Sequence, residues 1–145
     1  MAVEIEILRE ASDEIVAAFA ALLPQLSKTA KPLDRDTVAR LVASDTVTVL
    51  LARVQGRIAG TLTLVTIPLP SGTRARIEDV VVDESARGQG IAAALTAHAV
   101  ELARTSGART VDLTSRPSRE AANRLYERLG FQRRDSTVYR FPLEE

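Results

Sequence analysis

Two glycines stand where a strand pattern gives way to a helix pattern, in the segment Arg87-Gly-Gln-Gly-Ile-Ala92. The apolar run before this segment, Val80–Val82, is typical of a buried strand, and the alanine-rich stretch after it favours a helix. Glycines at a helix start let the backbone approach a ligand, and the unpaired N–H groups of the first turn attract anions. The segment therefore predicts a phosphate or pyrophosphate site, to which Arg87 adds positive charge. The alternative is a tight connection without a ligand.

The spacing of the glycines narrows the choice of phosphate ligand. The P-loop pattern G-x-x-x-x-G-K-[ST] is absent. Residues 88–93 match the loose dinucleotide pattern G-x-G-x-x-[GA], but that pattern normally follows directly from the strand that opens a βαβ unit. Here Asp83–Arg87 intervene, and too little chain follows for a doubly wound sheet. Dinucleotide binding is therefore set aside.

The rest of the chain predicts the elements that position this turn. Helix patterns begin after Ser12 and cover about 36–43, 90–105 and 118–129, while strand patterns cover 3–9, 46–54, 57–67, 76–82, 109–114, 132–134 and 136–141. The order β-α-α-β-β-β-α-β-α-β-β predicts a mixed α/β (α+β) fold with a mostly antiparallel sheet flanked by helices. The fourth and fifth strands should be parallel because a helix joins them. Residues 1–145 are expected to form a single domain.

Composition excludes several classes of function. The net charge is zero, which argues against general nucleic-acid binding, and there is no apolar run long enough for a membrane span. The chain has no cysteine and one histidine, His98, so we expect no metal site. His98 shares the spacing of the apolar stripe on its helix and is expected to be packed rather than catalytic. The N-terminus lacks a signal-peptide pattern, and the expected compartment is the cytoplasm.

Two motifs together resemble one family. Arg87-Gly-Gln-Gly-Ile-Ala92 resembles the R/Q-x-x-G-x-G/A pyrophosphate motif of the GCN5-related N-acetyltransferase (GNAT) family, with Ala92 where glycine is common. A second resemblance to that family, to the motif near the C-terminal end of its domain, lies in Asn123-Arg-Leu-Tyr126-Glu-Arg-Leu-Gly130-Phe131. The strand order and length also agree, so the resemblance covers essentially the whole chain. It implies an N-acetyltransferase that transfers the acetyl group of acetyl-CoA directly to a primary amine, without a covalent enzyme intermediate.

The resemblance also implies where acetyl-CoA binds. The pantetheine arm would pair with the fourth strand, whose backbone amides would also hold the thioester oxygen; these residues are Val80, Val81 and Val82. The pyrophosphate would lie on the backbone N–H groups of the turn, formed by Arg87, Gly88, Gln89, Gly90, Ile91 and Ala92.

The last helix carries the implied general acid. At 100° per residue, Asn123 and Tyr126 fall on a different side from Leu125 and Leu129, so the leucines are expected to point to the core. Asn123 and Tyr126 can then face the cofactor. The resemblance makes Tyr126 the acid that protonates the departing thiolate. The alternative is a partly buried tyrosine that only packs.

Two adjacent acids precede the turn. Glu78 and Asp79 lie on the fourth strand and should point to opposite faces. One can line the acceptor cleft and bind or deprotonate the amine, and Glu78 is the residue to which we assign this role. For Asp79, a structural ion pair with Arg74 or Arg76 is the favoured interpretation.

The acceptor is expected to be a small-molecule amine. Alternatives are a protein N-terminal or lysine acetyltransferase, and a non-catalytic acyl-CoA-binding regulator of the same fold. The segment Asp135–Phe141 has the pattern of a strand near a sheet edge. Because exposed edges tend to be paired or covered, we also expect a homodimer.

Overall fold

A computed structural model describes residues 2–144. The chain divides into two compact units, Met1–Thr114 and Ser115–Glu145. In chain order the elements are β1 (Val3–Ile7), α1 (Asp13–Leu26), α2 (Arg35–Ala43), β2 (Val47–Val54), β3 (Arg57–Ile67), β4 (Arg74–Val82), a short 3-10 turn (Glu84–Ala86), α3 (Ile91–Thr105), β5 (Val111–Asp112) and α4 (Glu120–Arg128). The first unit contains every one of these elements except α4. That residues 1–145 form a single N-acetyltransferase domain stays a prediction.

The first unit is built on one five-stranded sheet in the order β1-β2-β3-β4-β5. The first four strands pair antiparallel, and β5 pairs parallel with β4. The predicted mixed, mostly antiparallel sheet is therefore confirmed. The parallel pair is short, because only Ala75 and Arg76 of β4 are in register with β5.

Helices cover both faces of this sheet. On one face α3 approaches β3 at Gly60, where an added Cβ would lie 3.1 Å from Ile91 Cγ2. On the other face, α1 and α2 bury their apolar side chains against β2. That cluster consists of Leu8, Ile15, Phe19, Val38, Val49 and Leu51. The central strands are therefore buried on both faces, and they hold β4 in place.

Local signals in the sequence place the first two helices. The Ser12 side chain accepts a hydrogen bond from Ile15 N at 3.3 Å, and Asp34 accepts from Thr37 N at 2.8 Å. Both residues therefore act as N-caps. α1 contains Pro24 and continues for two residues beyond it, to Leu26.

The start of α1 is tied to the sheet by one arginine. Arg53 on β2 donates 2.9 Å hydrogen bonds to the carboxylates of Glu6 on β1 and Glu14 on α1. These bonds hold the pKa of Glu14 below its usual value. The network therefore anchors the N-terminal half of α1.

The second unit contains α4. Gly130, at φ +106°, ends this helix, and Phe131 N donates back to Tyr126 O at 3.0 Å. The rings of Tyr126 and Phe131 meet edge to face with centroids 5.8 Å apart. The Asn123 side chain donates to Arg116 O at 3.0 Å and so holds the turn before the helix.

Three expectations about packing and pairing are wrong. The strands expected at 132–134 and 136–141 are not formed, because in the described chain this segment has no strand partner and its apolar side chains are exposed. His98 is exposed, because the buried stripe of α3 follows four-residue steps from Ile91 to Ala103 and turns away from it. In α4 the buried residue is Tyr126, whereas Leu129 is 39% exposed.

Candidate active site

The predicted glycine turn has the backbone conformation that only glycine adopts without strain. Gly88 has φ +81° and Gly90 has φ +77°. A Cβ built at either position would meet nothing within 4 Å. The glycines are therefore required by the conformation of the turn rather than by crowding from the protein, and the space beside them is open to a ligand.

The helix that follows presents unused N–H groups at this turn. Gly90 is the N-cap of α3 and makes no side-chain capping bond, and the first turn of the helix carries no acidic residue. The first backbone bond at this end runs from Ala94 N to Gly90 O at 3.0 Å. The preceding N–H groups and the helix dipole are therefore available to an anion. Arg87 to Gly90 are exposed, whereas Ile91 is 2% exposed and anchors the helix start in the core.

Strand β4 contains a bulge just before the turn. Thr63 of β3 faces Glu78 and Thr61 faces Val81, so two residues of β4 oppose the single residue between them on β3. One of the two, Asp79, has φ +50°, a left-handed conformation that aspartate tolerates better than most residues. A bulge re-aims the side chains around it. The strict alternation expected for Glu78 and Asp79 therefore does not hold, and both are exposed.

The two carboxylates differ in their partners. Glu78 forms an ion pair with Arg76, with Nε to Oε2 at 3.2 Å, and Arg76 also donates to Thr114 Oγ1. The Asp79 carboxylate has neither a hydrogen bond nor an ion pair with any described residue. Partial burial raises the pKa of Asp79, and the nearby charge of Glu78 raises it further. The ion pair expected for Asp79 thus belongs to Glu78.

The backbone of β4 is open on one side next to the bulge. Since β5 pairs only with Ala75 and Arg76, the described residues place no strand beside Ile77–Val82 on that side. In an antiparallel pair, alternate backbone groups point away from the partner strand. Some N–H and C=O groups of Val80, Val81 and Val82 are therefore free to pair with an extended ligand.

The phenol of Tyr126, in the second unit, is suited to remain protonated. Tyr126 is 7% exposed. Burial raises the pKa of its hydroxyl, and the positive charge of Arg119 offsets this only in part. A buried phenol that keeps its proton near neutral pH can act as an acid.

The described residues contain no group of three or more His, Cys, Asp or Glu side chains that could hold a metal ion. They also contain no helix long and apolar enough to cross a membrane. The sequence did not predict the bulge at Asp79 or the hydrogen bond between Gln25 and Asp83, because neither feature has a sequence motif.

Comparisons with known proteins identify the family and the fold of the chain. The model of the Acetyltransferase (GNAT) family matches residues 12–131. A Trypanosoma brucei acetyltransferase is 29% identical with TM-score 0.79, covering 98% of this chain and 100% of its own. A ribosomal-protein-alanine N-acetyltransferase from Brucella melitensis biovar Abortus 2308 is 27% identical with TM-score 0.75, covering 97% and 100%. An aminoglycoside acetyltransferase from an uncultured soil metagenomic sample, 24% identical with TM-score 0.81 over 99% and 100%, shares the fold. Among curated proteins, none matches significantly.

The chain therefore belongs to the GNAT family, and the family resemblance seen in its two motifs is confirmed. It is an N-acetyltransferase. Members of this family use acetyl-CoA as the acetyl donor.

Proposed function

We propose that the protein transfers the acetyl group of acetyl-CoA to the primary amine of a small molecule. The observation that carries this proposal is the β4 bulge, which exposes two carboxylates directly before an open strand edge and a glycine turn. Adjacent carboxylates suit an ammonium group, while the turn suits a diphosphate.

The residues of the turn fit acetyl-CoA. Gly88 and Gly90 leave open space where a diphosphate would approach, and the N–H groups at the start of α3 can bind it. The open edge at Val80, Val81 and Val82 can hold an extended arm and the thioester oxygen. Gln89 and Arg87 can add polar contacts, and Ile91 and Ala92 present their backbone N–H groups. Acetyl-CoA supplies the acetyl group as an activated thioester.

Proton transfer at the acceptor is assigned to the carboxylates. The Asp79 carboxylate has no partner among the described residues and its pKa is raised, so we assign the role of proton acceptor to it. Glu78, which is held by its ion pair with Arg76, is proposed to help bind the ammonium group. This assignment reverses the one expected from the sequence.

Tyr126 is proposed to protonate the leaving sulfur. The resemblance in the motif around it is the reason for this role, and its buried phenol supports it. Asn123 is proposed to contribute through the turn that its side chain holds at Arg116, rather than by direct chemistry.

A panel of amines tests the proposal. The chain has no cysteine, so a thiol reagent reports released CoA without background from the protein. The panel should contain aminosugars, polyamines, amino acids and aminoglycosides, beside peptides with a free N-terminus or a lysine. We expect CoA release and one added acetyl group, by mass spectrometry, on a small amine. Release on peptides alone would contradict the small-molecule assignment.

A second candidate is acetylation of a protein N-terminus. It is favoured by the 27% identity to a ribosomal-protein-alanine N-acetyltransferase over nearly the whole of both chains. A peptide that begins with alanine, compared with the same peptide carrying a blocked N-terminus, separates this candidate from lysine acetylation.

We also propose that the protein forms a homodimer through its C-terminal segment. Tyr139, Phe141 and Leu143 alternate along this segment and are 86–91% exposed. Large apolar side chains in such a row are typical of a strand that pairs with another chain. Sedimentation at micromolar concentration should show about twice the 15.7 kDa mass of one chain.

A further inference from the structure

We infer that Gln25 is a positioning residue that ties the end of α1 to the segment before the glycine turn at residues 87–92 (the cofactor turn), and that it raises the affinity for acetyl-CoA. This inference rests on the proposed function of that turn. Gln25 lies in the last turn of α1, directly after Pro24.

Both the nitrogen and the oxygen of the Gln25 side-chain amide form hydrogen bonds. Its Nε2 donates to Asp83 Oδ1 at 2.8 Å and to Ala21 O at 3.0 Å, and its Oε1 accepts from Glu84 N at 3.0 Å. The side chain thus contacts an acceptor and a donor on two successive residues. A carboxylate of the same shape could not donate, and an ammonium group could not accept. The position therefore requires a carboxamide.

The contact fixes the start of the 3-10 turn. Asp83 N donates to Ala59 O at 2.8 Å, and the Asp83 carboxylate accepts from both the backbone N and the hydroxyl of Ser85. Hydrogen bonds from Ser85 and Gln25 hold the pKa of Asp83 below its usual value. The bond from Gln25 is therefore made to an ionised group, which strengthens it. The 3-10 turn ends at Arg87, where the cofactor turn begins.

The cofactor turn depends on anchors at its two ends. Residues 87–90 are exposed. After them, Ile91 is buried at the start of α3. Before them, the anchors are the buried Ala86 and the contact between Gln25 and Asp83. Loss of the contact between Gln25 and Asp83 should loosen the cofactor turn, whose N–H groups are proposed to bind the diphosphate. Acetyl-CoA binding should therefore weaken.

The same side chain marks the end of α1. The connection to α2 begins two residues later, at Ser27, and runs to the N-cap Asp34. Gln25 therefore links two segments that are far apart in sequence, the connection between the first two helices and the cofactor turn. A change at this one side chain acts on both.

The test exchanges the hydrogen-bond donor and acceptor between positions 25 and 83. Gln25→Glu removes the donor and sets two carboxylates against each other, and we expect the Kd for acetyl-CoA, measured by calorimetry, to rise roughly three- to tenfold. Asp83→Asn combined with Gln25→Glu keeps the net charge of the wild type. In this double variant the introduced asparagine can donate to the introduced glutamate, so the Kd should return toward the wild-type value.

Kinetics and a control on the same helix separate positioning from stability. The KM for acetyl-CoA should rise in Gln25→Glu while kcat changes less than about twofold. Glu14→Gln breaks the tether of α1 to Arg53 and should lower the melting temperature without changing the Kd. An unchanged Kd in Gln25→Glu, an equal rise in Glu14→Gln, or no recovery in the double variant would overturn the inference. If the wild type itself fails to bind acetyl-CoA, the proposed function falls, and this inference with it.

Discussion

Gly90→Val should abolish acetyl-CoA binding while the protein stays folded. Gly90 has φ +77°, and an L-residue in this conformation costs roughly 1–2 kcal/mol, somewhat more when it is β-branched. Because nothing lies within 4 Å of an added Cβ, the substitution adds no clash within the protein. For a chain of this size, about 2 kcal/mol lowers the melting temperature by about 4–8 °C.

Gly107 at the other end of α3 provides a matched control. It has φ +83°, and a Cβ there also meets nothing within 4 Å. Gly107→Val should therefore lower the melting temperature by a similar amount. Gly107 lies outside the cofactor turn, so this variant should bind acetyl-CoA as the wild type does.

The assay is thermal unfolding with and without acetyl-CoA. At a ligand concentration of 100 times Kd, binding stabilises the wild type by about 2.7 kcal/mol, which corresponds to a rise of about 5–11 °C. We expect this rise in the wild type and in Gly107→Val, and none in Gly90→Val. An equal rise in both variants would show that the turn does not bind the cofactor. Loss of the rise in both would mean that strain in α3, and not the turn, controls binding.

Four further predictions concern the proposed chemistry and the charges around it. Tyr126→Phe should lower kcat roughly 10–10³-fold in steady-state assays while calorimetry shows little change in acetyl-CoA affinity; unchanged turnover would remove its role as an acid. Asp79→Asn should lose the acidic limb of the kcat/KM profile, whereas Glu78→Gln keeps it, and the reverse pattern would exchange their roles. Burial raises the pKa of Asp79, so its ionised form disfavours folding above pH 3.8, and Asp79→Asn should raise the melting temperature at pH 7 but not at pH 3. For Glu14 the dependence of stability on pH runs in the opposite direction, because Arg53 lowers the pKa of its carboxyl group. Glu14→Gln should therefore lower the melting temperature at pH 7, and this effect should disappear as the pH falls below 4.5.

Much of the first unit could be predicted because its signals are local. β3 was predicted to the residue at Arg57–Ile67, and Ser12 caps α1 as expected. The glycine turn was also predictable, since a positive φ at Gly88 and Gly90 is a property of the glycines themselves. Such features depend on a few consecutive residues, and a sequence shows them directly.

Pairing between strands was harder to predict. The pattern at 109–114 predicts a strand of six residues, yet only Val111 and Asp112 pair with β4. The segment 136–141 has a strand pattern and no strand partner among the described residues. A pattern shows that a segment can form a strand, but pairing needs a free edge at the right place, which consecutive residues do not reveal.

The surroundings of the two carboxylates on β4 were hard to predict for the same reason, because they depend on how β4 pairs with β3. Alternation along β4 predicted that Glu78 and Asp79 face opposite ways, and a structural ion pair was the favoured interpretation for Asp79. A bulge depends on the register between β3 and β4, and no glycine in β4 marks it in the sequence. Arg76 and Glu78 lie two residues apart on β4 and form an ion pair, whereas the bulge holds Asp79 at φ +50°, where its carboxylate has no hydrogen bond or ion pair with any described residue. The backbone conformation and the surroundings of Asp79 are therefore decided by the register of two strands, which the residues around it in the sequence do not show.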